Sequence, residues 1–231
     1  MFDLHCHILF DVDDGSSDFA ESQAMLNAAR KSGIDNIVCT PHCRGSRFDY
    51  QRIVDHFDVL SRFAHSQGFQ MTLGFEVYWE NLISFGIDNA SHLCFEGTNL
   101  LLLEFGVASL PPNWQRIIYN LQGQGIQPII AHPERYRPVQ NDIGVAEEMK
   151  DLGCCSCRGT SPQAGSAATA SGRRSSCWRT TWWITSPRTP TAWRTTPTTA
   201  KPSRSPRSTS MKASPERRRL LSQARGKNNK R

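Results

Sequence analysis

Residues 2 to 9 are mostly apolar, interrupted by Asp3, His5 and His7, which is the density of a short strand. A polar, turn-rich stretch runs from Asp11 to Asp18, after which Phe19, Met25, Leu26 and Ala29 recur at helical spacing until Gly33 supplies a stop. Asn36 to Thr40 predicts a buried strand. Tyr50 to Gly68 predicts a helix with Ile53, Phe57, Leu60 and Ala64 on one face, and Met71 to Tyr78 predicts the next strand. The unit then recurs. A leucine run from Asn99 to Phe105 reads as a strand, Pro112 to Gln122 as a helix with proline near its first turn, Gln127 to Ala131 as a strand, and Ile143 to Leu152 as a helix. Five strands alternating with helices at spacings that suit right-handed crossovers predict an α/β fold with a parallel sheet, closed as a barrel.

The alternation stops at Cys154, and so does the composition that supports it. Residues 1 to 154 hold 10 Lys and Arg against 20 Asp and Glu, whereas residues 155 to 231 hold 17 against 1, so the overall +6 describes neither part. The second part is rich in Ser, Thr, Pro and Arg, with Glu216 as its one acidic residue. Such a composition rarely builds a core, and an unstructured basic tail over 155–231 is expected behind a folded domain over 1–154. No stretch approaches the roughly 20 apolar residues of a membrane-spanning helix, and Asp3 and His5 interrupt the place of a signal peptide's apolar region, so a cytoplasmic protein is expected. The eight cysteines show no repeated C-x-x-C pair, which favours buried thiols in a reducing compartment over disulfides or a zinc site.

The ionisable residues fall where the predicted strands end. His5 and His7 close the first strand, His42 follows the second, Glu76 sits at the end of the third, Glu104 ends the fourth and His132 follows the fifth. In a parallel barrel the carboxyl ends of the strands converge on one face. Any one of these residues alone is more often an ordinary polar group where a strand meets water. Together they point to a metal site: in H-x-H on a strand both imidazoles face the same side, and carboxylates beside imidazoles can bridge divalent cations. His56, His65 and His92 fall on helices or in loops and read as surface residues.

The run from Asp3-Leu4-His5-Cys6-His7 through Asp11-Val12-Asp13-Asp14-Gly15, with Thr40-Pro41-His42, Gly74-Phe75-Glu76-Val77-Tyr78 and Ala131-His132-Pro133-Glu134-Arg135-Tyr136, resembles the polymerase and histidinol phosphatase (PHP) superfamily. More closely it is similar to the bacterial manganese-dependent tyrosine-protein phosphatases encoded with capsule and exopolysaccharide genes. The resemblance covers residues 1 to about 154 and implies a distorted barrel of about seven strands with a three-metal cluster. On that pattern His5, His7 and Glu76 would hold one ion. Glu76, as a bridge, would hold a second with Glu104 and His132, and Asp14 with His42 a third; Asp11 and Asp13 would shape the loop. Manganese is implied, with zinc or iron able to enter the same nitrogen and oxygen cage. Arg135 matches the family arginine that grips the phosphate, its alternative being a rim salt bridge with Glu134.

The implied reaction is hydrolysis of phosphotyrosine on a protein, with a bacterial tyrosine kinase of exopolysaccharide synthesis as the expected substrate. A small-molecule phosphomonoesterase such as a histidinol phosphatase, or a non-catalytic basic-tailed binding protein, are the other classes. A thiol-based mechanism is excluded, because no cysteine is followed six places later by arginine.

The chain departs from the family after residue 154. The resemblance calls for an Asp-Ala-His segment after later strands, yet no histidine follows His132 and no aspartate follows Asp151. A shift of reading frame accounts for this. Across Trp182 to Thr191 the other frame must encode Val then Asp, and permits Val-Asp-Tyr-Ile-Ala-Ser-Asp-Ala-His, a buried strand ending in the missing ligands. Impaired catalysis is therefore expected of the chain as written. A nucleic-acid-binding arm would also be basic and aromatic, but solvated arms rarely carry neighbours such as Trp182 and Trp183, and nucleic acid is not expected as a partner.

Overall fold

The computed structural model describes residues 1–152 and Cys155–Ser156. The expectation of an unstructured tail over 155–231 lies outside the described residues, except at Cys155–Ser156, which form a short strand.

Two parallel sheets organise the chain. The first holds β1 (Phe2–Cys6), β2 (Asn36–Cys39) and β4 (Gln70–Leu73), with β2 central. The second holds, in spatial order, β3 (His42–Cys43), β5 (Glu76–Tyr78), β6 (Leu100–Glu104), β7 (Gln127–Ile130) and β8 (Cys155–Ser156). The leucine run of β6 is covered on both sides. Leu101 and Leu103 enter the main core while Leu102 packs with Val38, Phe95, Ile129 and Ala131, as side chains alternating across a buried parallel strand must. β8 continues the alternation past the expected last strand, pairing Cys155 and Ser156 with Ile129 and Ile130.

The eight strands of the described residues arise from fewer runs because two of those runs bend. At Thr40-Pro41 and at Gly74-Phe75 the chain leaves the first sheet and enters the second. Pro41 has no N–H to give a ladder, and a Cβ at Gly74 would sit 2.9 Å from Cε1 of the Phe95 ring, closer than real contacts allow. Bonds from Thr40 N to Cys6 O (2.9 Å), Gly74 N to Cys39 O (2.8 Å) and Glu76 N to Pro41 O (3.1 Å) carry the pairing across the step. The strand expected from Met71 to Tyr78 is thus β4 and β5, and the first strand stops at Cys6 instead of Leu9.

The helices follow their apolar spacing. α1 (Phe19–Lys31) is capped reciprocally: Asp18 accepts from Glu21 N at 2.9 Å, and the Glu21 carboxylate accepts from Ser17 N at 2.7 Å. It buries Ser22, Met25, Leu26 and Ala29. α2 (Tyr50–Ser66) starts at its Asp49 cap and buries Ile53, Val54, Leu60 and Ala64. α3 (Trp79–Phe85), a 3-10 segment over Ile87–Leu93 and α5 (Arg137–Asn141) have no counterpart in the expected pattern, since one or two turns carry too few apolar positions to show a period. α4 (Trp114–Gly123) and α6 (Gly144–Asp151) fall where expected. Among the described residues no helix is long and apolar enough to cross a membrane.

Candidate metal centre

His5 lies on β1, while His7 lies beyond its end, so a loop and not strand alternation positions the second ring. The loop folds back over His7: Ser16 N donates to His7 O at 3.1 Å and Asp11 N donates to Ser16 O at 2.9 Å. Asp11 takes a left-handed backbone (φ 55°), and its carboxylate pairs with Arg52 on α2. His56, also on α2, is half-buried; its Nδ1 meets Phe10 O at 2.8 Å and its ring stacks on Phe10, so it anchors this loop instead of standing on the surface. Asp13 does more than shape the loop. It accepts from Gly15 N (2.9 Å) and His42 N (3.0 Å), and its Oδ2 lies 2.9 Å from His7 Nδ1. With Nδ1 donating there, Nε2 is the nitrogen turned inward to Glu76, the arrangement by which outer carboxylates orient metal-binding imidazoles.

The expected residues come together around Glu76, which is 1% exposed at the start of β5, one residue after the bend. Its Oε2 lies 3.1 Å from His5 Nε2, 3.0 Å from His7 Nε2 and 3.1 Å from His42 Nδ1, and its Oε1 lies 2.9 Å from His132 Nε2. His42 is the register partner of Glu76 across β3 and β5. Asp14 joins from the loop, with Oδ1 3.3 Å from His42 Nε2. Glu104, at the end of β6, lies 3.7 Å from His132 Nε2. Three overlapping sets have the spacing to hold an ion: His5, His7 and Glu76; His7, Asp14 and His42; and His42, Glu76 and Glu104.

Electrostatics show how tightly these groups are coupled. Burial lowers the His5 pKa, favouring the neutral imidazole that a cation needs. Burial also works against a charged His7, but its bonds to Asp13 and Glu76 overcome this and lift it to about 10. Burial would raise Glu76, yet His5, His132 and His7 hold its carboxyl well below the ordinary range. Glu104 is pushed up by burial and by the neighbouring Glu76. Cys6, Cys39, Cys43 and Cys94 are buried, with Cys43 raised by burial to about 12, and none belongs to the three sets.

Tyr136, fully buried, ties the far side together. Its hydroxyl donates to Ala131 O at 2.8 Å and accepts from Phe105 N at 3.0 Å, joining the residue before His132 to the residue after Glu104. His132 itself has φ 33°, a left-handed conformation that a non-glycine residue adopts only when its surroundings impose it. Tyr136→Phe leaves both backbone partners buried without the hydroxyl. It should cost about 1–3 kcal/mol, read from urea unfolding of the metal-free protein; an unchanged midpoint would show that the bridge contributes nothing.

Arg135 is exposed on the 3-10 turn Pro133–Arg135 that follows His132. Two neighbours of the cluster escape sequence reasoning. Arg44 lies 3.7 Å from Glu104 Oε1 and over the Tyr78 ring, and Tyr78 is the register partner of Glu104. The one signal for Arg44 is its position two residues beyond His42.

Residues 1–173 match the model of a family described as capsular polysaccharide synthesis, CpsB/CapC, a match that runs past Cys154. The tyrosine-protein phosphatase YwqE of Bacillus subtilis is 29% identical over 160 residues, covering 68% of this chain and 63% of its own. The tyrosine-protein phosphatase CpsB of Streptococcus agalactiae is 30% identical over 164 residues, covering 67% and 65%. A solved structure from work on YwqE of Bacillus subtilis and CpsB of Streptococcus pneumoniae, described as metal-dependent tyrosine phosphatases, superposes with a TM-score of 0.61 at 29% identity, over 68% of this chain and 65% of that one. The chain thus spans a little under two thirds of the length of the relatives it matches.

Proposed function

The chain belongs to the CpsB/CapC family of capsular polysaccharide synthesis, and on that premise we propose that it hydrolyses phosphotyrosine on a protein, with divalent cations held by His5, His7, Asp14, His42, Glu76, Glu104 and His132. The observation that carries this is the convergence of four imidazoles on the two oxygens of buried Glu76.

The residues fit such ions. His5 Nε2 and His7 Nε2 lie 3.1 Å apart while both approach the same carboxylate oxygen, so a shared cation would take the place of the proton that otherwise links these groups. Among the described residues, Glu104 Oε2 and His132 Nδ1 are buried without a hydrogen-bond partner, and such atoms are costly unless something binds them. The donors are nitrogen and oxygen only, which suits manganese; zinc and iron are the competing choices. Bound cations would supply Lewis-acid neutralisation of phosphoryl oxygens and an acidified water near neutral pH.

This chain's own side chains do the rest. Asp13 fixes the His7 tautomer, Tyr136 holds Glu104 beside His132, and Arg135 presents a planar fork that can bind two phosphate oxygens at once. Supporting a cytoplasmic setting is the burial of the cysteines Cys6, Cys39, Cys43 and Cys94 among the described residues, and the kinase of exopolysaccharide synthesis is the proposed substrate. The two bent sheets are proposed as the described part of a distorted barrel within a domain over 1–154. Beyond it, the change of reading frame is checked by sequencing the gene around codon 154.

Manganese-loaded protein assayed on a phosphotyrosine peptide and on histidinol phosphate tests the activity. The peptide should turn over in preference, and His132→Ala should lower that rate by about a hundredfold or more. Peptide turnover that survives the substitution, or that persists after chelation and dialysis, would contradict the assignment.

A further inference from the structure

Arg44 stands at the edge of the cluster, where its contacts among the described residues are a ring and a carboxylate beyond hydrogen-bond distance. It follows β3 in an extended conformation (φ −142°, ψ 128°) at the head of the short turn Gly45–Arg47, and its side chain is 53% exposed. The guanidinium carbon sits 4.3 Å over the ring of Tyr78. Its Nη1 lies 3.7 Å from Glu104 Oε1, a separation at which charges attract but no hydrogen bond forms. No hydrogen bond from the Arg44 side chain is formed to the described residues, and the side chain is open enough for its N–H donors to meet a ligand. Tyr78, paired in register with Glu104 one strand over, gives the cation a flat platform that restricts its motion without using those donors.

Resting on the metallophosphatase reading above, we propose that Arg44 is a second phosphate-contacting residue beside Arg135, donating to the oxygens of a phosphate monoester held at the cluster. The argument is one of place and supply. Glu104 Oε1 is the same 3.7 Å from Arg44 Nη1 as from His132 Nε2, so a single carboxylate separates the guanidinium from the imidazoles. A carboxylate that serves a cation has less charge to offer Arg44. A dianion with three oxygens at that mouth offers acceptors that the described residues do not. The competing role, a counter-charge that merely steadies Glu104, would make no contact with substrate.

The two roles separate in one set of measurements on the full chain loaded with manganese. Wild type, Arg44→Ala and Arg44→Lys are compared for inorganic phosphate binding by calorimetry, phenyl phosphate hydrolysis, bound manganese and urea midpoint. Arg44→Ala should weaken phosphate binding and raise KM about tenfold, with kcat changed less. Arg44→Lys, a point charge without the fork, should fall between. Manganese content and the urea midpoint should match wild type in both. Unchanged phosphate affinity in Arg44→Ala would overturn the proposal alone, and so would a loss of manganese parallel to the loss of phosphate. Failure of the manganese-loaded wild type to bind phosphate would instead bring down the metallophosphatase reading, and this inference with it.

Discussion

Glu76→Gln should abolish retention of divalent cations and lower phosphotyrosine-peptide turnover by about a thousandfold or more. Outer partners of metal ligands commonly cost about 10–100-fold when removed, and a residue that touches four imidazoles must cost more. Glutamine keeps the volume, so β5 can keep its place between β3 and β6. It cannot carry the negative charge that His5, His132 and His7 hold on Glu76. The check is manganese stoichiometry after equilibrium dialysis, alongside far-ultraviolet circular dichroism to confirm folding. A folded variant that retains its ions would remove Glu76 from the centre of the site.

Gly15→Ala should destabilise the protein by about 3 kcal/mol and weaken metal binding with it. A Cβ there would run into the carbonyl oxygen of His7 and lie 2.5 Å from the His7 Cβ. Neither is the free end of a flexible chain, so the loop or His7 must move. Either movement disturbs the bond between Asp13 and His7 Nδ1. Gly33→Ala makes a useful contrast. Gly33 has φ 74° but no atom within 4 Å of an added Cβ, so it should cost about 1 kcal/mol through backbone strain alone and leave metal binding intact. Equal losses in the two variants, by urea unfolding, would show that the close approach over His7 is not tight.

Much of the architecture can be read from the chain because it depends on local pattern. α1 and α2 announce themselves through apolar spacing, and the leucines of β6 mark a strand buried on both faces. The cluster residues are legible for a related reason: parallel strands put their carboxyl ends on one face, so position along a strand stands in for position in space. What escapes is what depends on a meeting of segments. The bend at Gly74 is set by the Phe95 ring, 21 positions away in the chain, and it makes Glu76 the start of a strand instead of its end. Asp13 becomes an orienter of His7 only when the loop closes over it. Arg44 and Tyr78 meet through the register of neighbouring strands, and Tyr136 spans the ends of β6 and β7. No periodicity carries those encounters.

The two sheets contribute unequally to the cluster. β1 supplies His5 and leads into His7, whereas His42, Glu76 and Glu104 belong to the other sheet and His132 extends from it. An ion gripped by His5, His7 and Glu76 would therefore staple one half of the molecule to the other, and its binding energy would add to the free energy of folding by mass action. In a cell short of that ion, the protein would lose part of its resistance to unfolding together with its chemistry.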